Sequence, residues 1–423
     1  MQVLSSILSF ITSMGATVML PIIIIIFGLL FRQKLSTCVK SGLLVGVGFA
    51  GINLVIGYFW GAVAPAGEAL AGNSNFSLTI MDAGWPATAA IAWGSLLAPL
   101  IALAIIVLNL IMIKFNWTKT MNVDIWNFWG AILIGQMAYV QTNNAIIGVV
   151  CGTIAMVPIL ILADKTQKMM YEYYKIPGVS IPHIFTQSIG LIAYPINWLL
   201  DRIPGVKDIN WNPTNLRKKI GIFGEPMVLG LIIGVALALI ARQPFQTVVT
   251  TGLGLGATMV LLPKMVSILM EGIAPIATGV QEYMSKKYAD KELYIGLDSA
   301  VVLGDPANLT AAVILIPVAL LIAAILPGNK VLPMADLPTL VYMMVVASAL
   351  TKGNIFRTVI IGIPTIMVIL WVATAMAPDV TTMAQAVGYP IPDGALTITS
   401  FCTGSFWLPY VIKEGIVKLF MLF

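Results

Sequence analysis

Histidine occurs once in the 423 residues of this chain, cysteine three times, and charged residues make up only 10% of it. So few charges cannot cover a water-soluble domain of this size, which excludes an ordinary soluble protein. Cys38, Cys151 and Cys402 stand far apart and match neither a disulfide framework nor a zinc spacing. A single histidine, His183, allows no paired-His metal motif. There is also no phosphate-cradling glycine loop followed by Lys, and no nucleophile elbow. No catalytic residue, metal or cofactor is therefore expected, and chemistry on a substrate would come from another protein. The opening apolar stretch lacks a basic flank and runs on into a full span, which argues against a cleavable signal peptide.

Hydrophobic sequence is what the chain has in abundance, at 59% of residues and a mean hydropathy of +0.96. Ten apolar segments approach the roughly 20 residues that a helix needs to cross hydrocarbon. They run over Ile7 to Phe31, Ser41 to Val63, Leu96 to Ile113, Ile125 to Val140, Ala145 to Ala163, Met227 to Ala241, Thr247 to Met270, Leu309 to Leu326, Leu337 to Leu350 and Ile355 to Ala377. An eleventh, Ile398 to Phe420, carries Lys413, Glu414 and Lys418. Folding the loops onto alternating sides puts 21 of the 23 Lys and Arg residues on one side, leaving only Arg242 and Lys330 on the other. Basic loops are retained in the cytoplasm, so the amino terminus is expected outside and the carboxyl terminus inside. The net charge of +5 comes from those retained loops and requires no nucleic-acid partner.

A fixed offset relates two parts of the chain. Arg32-Gln33 recurs as Arg242-Gln243, Gly42 as Gly252, Gly46 as Gly256, Ala64-Pro65 as Ala274-Pro275, Asn144 as Asn354 and Gly152 as Gly362, always 210 residues on. A two-residue slip then pairs Gly84 with Gly296 and Asp124 with Asp336. Each copy holds five spans, an odd number, so the second must enter the membrane inverted, an arrangement that places transporter substrates near the midplane. The expected division is 1–163 for the first repeat, 164–224 for a cytoplasmic connection, 225–377 for the inverted repeat and 378–423 for an outer loop and last helix. Unrelated apolar helices in a channel or membrane enzyme are the competing reading.

Polar chemistry concentrates at a few places. Gly84-Trp85-Pro86 through Ser95, and Gly296-Leu297-Asp298 through Asn308, are too long for turns and too interrupted by Gly and Pro for plain helices. Re-entrant half-helices fit, because irregular backbone at membrane depth survives only where it lines a cavity. Their free backbone groups, with Asp298, Asp305 and Asn308, can hold hydroxyls, or the carboxylates can cap helices. Asp124 and Asn127 lie three apart beside Trp126 and Trp129, a mixture suited to a polyol or sugar, and equally to an N-cap with an interfacial Trp belt. Glu225 begins the sixth span, as a cap or a ligand. His183 precedes an apolar run, Ile184 to Leu200, which Gly190 and Pro195 interrupt and which is expected to dip into the membrane without crossing. It is either a satisfied polar group or a substrate ligand.

With these residues in view, the chain resembles the galactitol-specific IIC components of the bacterial sugar phosphotransferase system, within the ascorbate and galactitol superfamily. The resemblance rests on Gly15 to Pro21, Gly84-Trp85-Pro86, Asn122 to Asn127, Ile181-Pro182-His183, Ile203 to Val206, Phe223 to Pro226, Gly296-Leu297-Asp298 with Leu303-Gly304, Leu326 to Asn329, and Gly353-Asn354 with Phe356-Arg357. It implies an all-α membrane protein of eleven spans, a homodimer of core and V-shaped scaffold domains in the bacterial inner membrane. It also implies a polyol, galactitol foremost, carried inward unmodified by an elevator-like slide and phosphorylated by a cytoplasmic IIB subunit that IIA recharges. Trp85, Asp124, Asn127, His183, Glu225, Asp298, Asp305 and Asn308 are the candidate substrate-binding residues. The rival reading is an ion-coupled secondary transporter in which Asp124, Asp298 or Asp305 titrates or binds sodium.

Overall fold

Helix dominates the structure, since an apolar chain in hydrocarbon must satisfy its backbone groups within its own segments. The computed structural model describes residues 15–72, 79–214, 221–287, 292–333, 335–389, 391 and 397–422. Residues 7–14 of the expected first span, and Arg217, Lys218, Lys219 and Lys291 of the charge count, lie outside the described residues. In chain order the elements are α1 Gly15–Leu30, α2 Leu35–Gly72, β1 Ile80–Asp82, α3 Gly84–Gly94, α4 Ala98–Lys114, β2 Thr120–Asn122, α5 Trp129–Thr142, α6 Ala145–Tyr174, β3 Val179–Ser180 and α7 Ile184–Leu200. They continue as α8 Pro226–Ile240, α9 Phe245–Lys287, β4 Tyr294–Gly296, α10 Pro306–Ile325, β5 Val331–Leu332, α11 Leu340–Met343, α12 Val345–Leu350, α13 Ile355–Ala386, β6 Thr397–Thr399 and α14 Trp407–Met421.

By length and composition, α6, the Phe245–Ile276 part of α9, α10 and α13 are each able to cross a membrane, and α3 with α4 makes a fifth such unit bent by 91°. The Leu35–Gly48 part of α2, Ile184–Leu200 and Met227–Ile240 are shorter apolar stretches of helix. The segment expected to span from Leu337 to Leu350 is broken: a 3-10 turn over Leu337–Thr339 leads into α11, and Met344 separates α11 from α12. Pro338 sits in that first turn, where its missing N–H costs least.

Two helices exceed the expectation. At 1.5 Å per residue α2 and α9 extend over roughly 57 and 64 Å, about twice the hydrocarbon thickness, so they tilt or protrude. They pack antiparallel at close range: a Cβ on Gly272 would lie 2.6 Å from the Ser41 carbonyl oxygen, and one on Gly48 would lie 2.6 Å from the Leu269 backbone nitrogen. Small residues permit this approach where no hydrophobic effect drives helices together. Gly48→Ala must therefore separate the helices, and we expect it to cost about 1–3 kcal/mol, read as a lowered unfolding midpoint of the purified protein.

Local geometry recurs at the 210-residue offset. Arg32 and Arg242 both adopt positive φ, 58° and 55°. Each closes its helix with matching bonds: Arg32 N–H to Leu29 O and Gln33 N–H to Gly28 O, then Arg242 N–H to Leu239 O and Gln243 N–H to Ala238 O. Gly42 packs against Pro21 and Ile25 of α1, and Gly252 against Leu231 and Val235 of α8, both partners again 210 apart. Asn144 and Asn354 each N-cap the following helix through the side chain.

Among the described residues, six short strands form two parallel three-stranded sheets, β5-β1-β6 and β2-β4-β3. Each takes its central strand from one half of the chain and both flanking strands from the other. The final helix takes a course different from the expected eleventh crossing. It starts beside α7, where Trp407 Nε1 donates to the Ser188 carbonyl at 2.9 Å, and its Val417 packs on Ala138 and Cys151, next to the α5–α6 turn. That turn adjoins β6, since Gln141 Nε2 donates to Asp379 at 2.7 Å and Thr381 of the same helix holds Ile398. α14 thus returns toward the end of the molecule from which β6 came. Its Lys413 is fully buried against Asp379 and Glu414, which explains how an apolar bundle tolerates those charges.

Candidate functional site

The sheet β2-β4-β3 carries one polar residue inward from the end of each strand. Register pairs Thr120 with Tyr294 and Ser180 with Gly296, so continuing each chain sets Asp124 opposite Asp298 and His183 opposite Ser299. The contacts follow that register. Asp298 N–H donates to Asp124 Oδ2 at 3.1 Å, Asp298 Oδ2 lies 3.3 Å from His183 Nε2, and His183 Nδ1 lies 2.6 Å from Ser299 Oγ. Both carboxylates also cap the 3-10 turns that follow them: Asp124 accepts from Trp126 N–H at 3.0 Å and Asp298 from Ala300 N–H at 2.7 Å. Capping thus occupies Oδ1 of each carboxylate, and Oδ2 faces the neighbouring strand end.

Around these groups sit buried polar atoms with no hydrogen-bond partner among the described residues. Asn127 Nδ2 donates to Asn122 Oδ1 at 2.9 Å, which leaves Asn122 Nδ2 and Asn127 Oδ1 unpaired. Trp126 Nε1 and His183 Nε2 are likewise without a hydrogen bond. Buried polar groups are almost always paired, so these donors and acceptors are open to a bound molecule. Asn109, from α4, fixes this end by donating to Thr120 O and accepting from Asn122 N–H. At the sheet's surface edge Lys119 pairs with Glu292 at 2.8 Å, and this hydrogen bond holds the Glu292 carboxyl below its ordinary range.

Trp85, at the start of α3, meets Trp126 edge-on with ring centroids 6.4 Å apart, and Tyr342 stands 6.2 Å from the His183 ring. Both Trp85 and Tyr342 line a pocket between α2 and α9 on one side and α10 with the Leu337–Tyr342 segment on the other. Its walls include Phe59, Leu262, Leu309 and Val313. The polar strand ends and the apolar cavity are therefore one aromatic ring apart.

The other sheet ends in a similar carboxylate pair that is fully occupied. Asp82 accepts from the backbone N–H groups of Gly84, Asp336 and Phe401, and Asp336 from those of Trp85 and Cys402 and from the Ser400 hydroxyl. Asp336 and Asp124 thus hold the same kind of cross-sheet N–H, while among the described residues the unpartnered side-chain atoms at a strand end lie beside Asp124, others being on Gln136, Gln141 and Ser188.

Of the eight residues singled out from the sequence, Asp124, Asn127, His183 and Asp298 converge, with Trp85 one ring contact away. Asp305 caps α10 through Asn308 N–H and accepts the Tyr173 hydroxyl on both oxygens, at 2.9 and 3.0 Å. Asn308 donates to Val341 O and accepts from Ser348. Glu225 occupies the N-cap position of α8 without a side-chain capping bond. Asn122, Asn109 and Ser299 were not singled out: a lone Asn in an apolar helix, or a Ser after an Asp, carries no pattern until strand register reveals its neighbours.

Residues 9–394 match the EIIC-GAT family, described as the sugar-specific permease component of the PTS system. The chain belongs to this family. It is 35% identical over 385 residues to the galactitol-specific EIIC component of Escherichia coli (strain K12), covering 91% of this chain and 85% of that protein, and equally so to that of Escherichia coli O157:H7. A permease IIC component of Escherichia coli (strain K12) is 32% identical over 430 residues, 98% of each chain. As an EIIC-GAT permease component, the chain is an integral membrane subunit of a sugar phosphotransferase system, consistent with its apolar helices.

Proposed function

We propose that this permease component carries galactitol, or a closely related hexitol, inward for phosphorylation by a IIB subunit that IIA recharges. The observation that carries the reading is the group of unpaired atoms on Asn122, Trp126, Asn127 and His183 beside Asp124 and Asp298. A neutral polyol supplies a donor and an acceptor from every hydroxyl, which matches amide, imidazole, indole and carboxylate partners mixed at one place. The Trp85 and Trp126 rings suit its C–H faces. Asp305, Asn308 and Glu225 enter this reading as supports of the surrounding helices, since Asp305 and Asn308 already have protein partners.

The same reading includes an inverted repeat, supported by the turns and packing contacts repeated at the 210 offset and by the interleaved sheets. It also includes alternating-side topology: segments that the charge count assigns to one side, around 120, 180 and 295, pair in one sheet, and those assigned to the other, around 81, 331 and 398, pair in the second. With α14 turning back, the carboxyl end joins the amino end outside, and paired Lys413 no longer weighs in the charge rule. The core would slide against the α2–α9 pair, with the cavity at that boundary leaving room. A homodimer, carried over from the resemblance, would use lipid-facing apolar rows such as Leu43, Val47 and Leu54 of α2.

Calorimetric titration of the purified protein with galactitol, other hexitols and hexoses tests the substrate. We expect saturable galactitol binding at least about tenfold tighter than to glucose. No binding of any polyol would sink the reading. In vesicles, uptake that needs phosphoenolpyruvate and the IIA and IIB subunits supports it, whereas uptake abolished by a protonophore alone would favour the ion-coupled rival.

A further inference from the structure

The hydrogen-bond partners of His183 determine which of its nitrogens carries the proton. Thr186 Oγ1 donates to the Tyr342 carbonyl at 3.1 Å, so its single proton is committed and it can only accept from His183 Nδ1, 3.1 Å away. Ser299 Oγ lies 2.6 Å from the same Nδ1. Thr186 therefore asks for a proton on Nδ1, and with that proton in place the Ser299 oxygen beside the same nitrogen accepts as well. In the neutral imidazole this leaves Nε2 a bare acceptor, 3.3 Å from Asp298 Oδ2, itself an acceptor, with no hydrogen bond closing the gap.

We propose that Ser299 and Thr186 are positioning residues that hold His183 as the Nδ1–H tautomer, so that Nε2 and Asp298 Oδ2 form a paired acceptor selective for a hydroxyl donor of the substrate. Two facing acceptors repel until a donor is shared between them. A polyol O–H is such a donor. The same oxygen esterified with phosphate has no proton to give and adds nearly two negative charges at neutral pH, against a carboxylate at 3.3 Å from the imidazole. The pair thus favours the unmodified polyol and disfavours its phosphate ester at that position, giving the released product a reason not to rebind. This inference rests on the polyol reading above for its ligand, while the tautomer rests on the protein alone.

His183 is the only histidine, so labelling the full-length purified protein with ¹⁵N-histidine gives one ring to observe. Long-range ¹H–¹⁵N spectra are expected to show the proton on Nδ1 and a bare Nε2, and added galactitol to shift Nε2 more than Nδ1. Ser299→Ala and Thr186→Val remove the two accepting oxygens, and either one, if folded, should raise the Nε2–H population. In parallel titrations, galactitol should outbind its terminal O-methyl ether and its phosphate ester by about 100-fold or more, as a site built for a hydroxyl rejects analogues lacking it. A proton on Nε2 in the unliganded protein, or equal affinity for galactitol and its phosphate, would overturn the proposal. Absence of any polyol binding while Nδ1 carries the proton would instead overturn the substrate reading and, with it, the selectivity argued here.

Discussion

Asp298→Asn is expected to weaken galactitol binding by about 100-fold while leaving the unfolding midpoint within about 2 °C of the parent. The asymmetry follows from the two oxygens of this carboxylate. Oδ1 accepts from Ala300 N–H at 2.7 Å, and an amide oxygen can keep that cap. Oδ2 faces His183 Nε2 at 3.3 Å, and there the new amide N–H would donate to the imidazole itself, occupying the acceptor meant for substrate. Charge-assisted hydrogen bonds are worth about 1.5–3 kcal/mol, enough for the stated loss. Calorimetry and thermal unfolding of the same preparation check both halves. Unchanged binding with a lowered midpoint would make Asp298 a cap and nothing more.

Asp336→Ala should do the reverse. This carboxylate accepts from the backbone N–H groups of Trp85 and Cys402, at 2.8 and 3.0 Å, and from the Ser400 hydroxyl, all at the buried end of the other sheet. Removing it strands those donors out of reach of water, at about 1–3 kcal/mol each. We expect a loss of about 3–6 kcal/mol, a midpoint lowered by at least about 5 °C, and galactitol affinity within about threefold in whatever protein remains folded. Lost binding with full stability would move the substrate to this end of the molecule. The two aspartates are a fair pair for comparison, because Asp124, the counterpart of Asp336 at the repeat offset, makes the matching cross-sheet bond to Asp298.

Much of this was legible in the sequence, for reasons that can be traced to particular residues. Long apolar runs reveal α6, α10 and α13 because hydrocarbon tolerates nothing else, and the interruptions at Gly84-Trp85-Pro86 and Gly296-Leu297-Asp298 mark where the backbone leaves helix. Repetition of Arg32-Gln33 at Arg242-Gln243 reflects a turn whose positive φ recurs. Other features leave weaker traces. Strands of two or three residues are too short for a period-two pattern, so the register that joins Asp124, His183 and Asp298 was hidden even though each residue stood out. Helices α2 and α9 run on through Pro65 and through polar residues near Glu282, so composition ended them too early. Lys413 and Glu414 resemble an ordinary basic inner end until packing shows the lysine buried against Asp379.

The interleaving of the two sheets has a consequence for biogenesis. β1 lies near the front of the chain, yet one of its flanking strands, β6, is among the final segments made. While the ribosome is still translating, the leading half must wait in the bilayer with an unmatched strand edge and with Asp82 short of the Phe401 amide that completes its coordination. Halves expressed separately would each lack the middle of one sheet and the borders of the other, so this permease should assemble late, all at once, and tolerate splitting poorly.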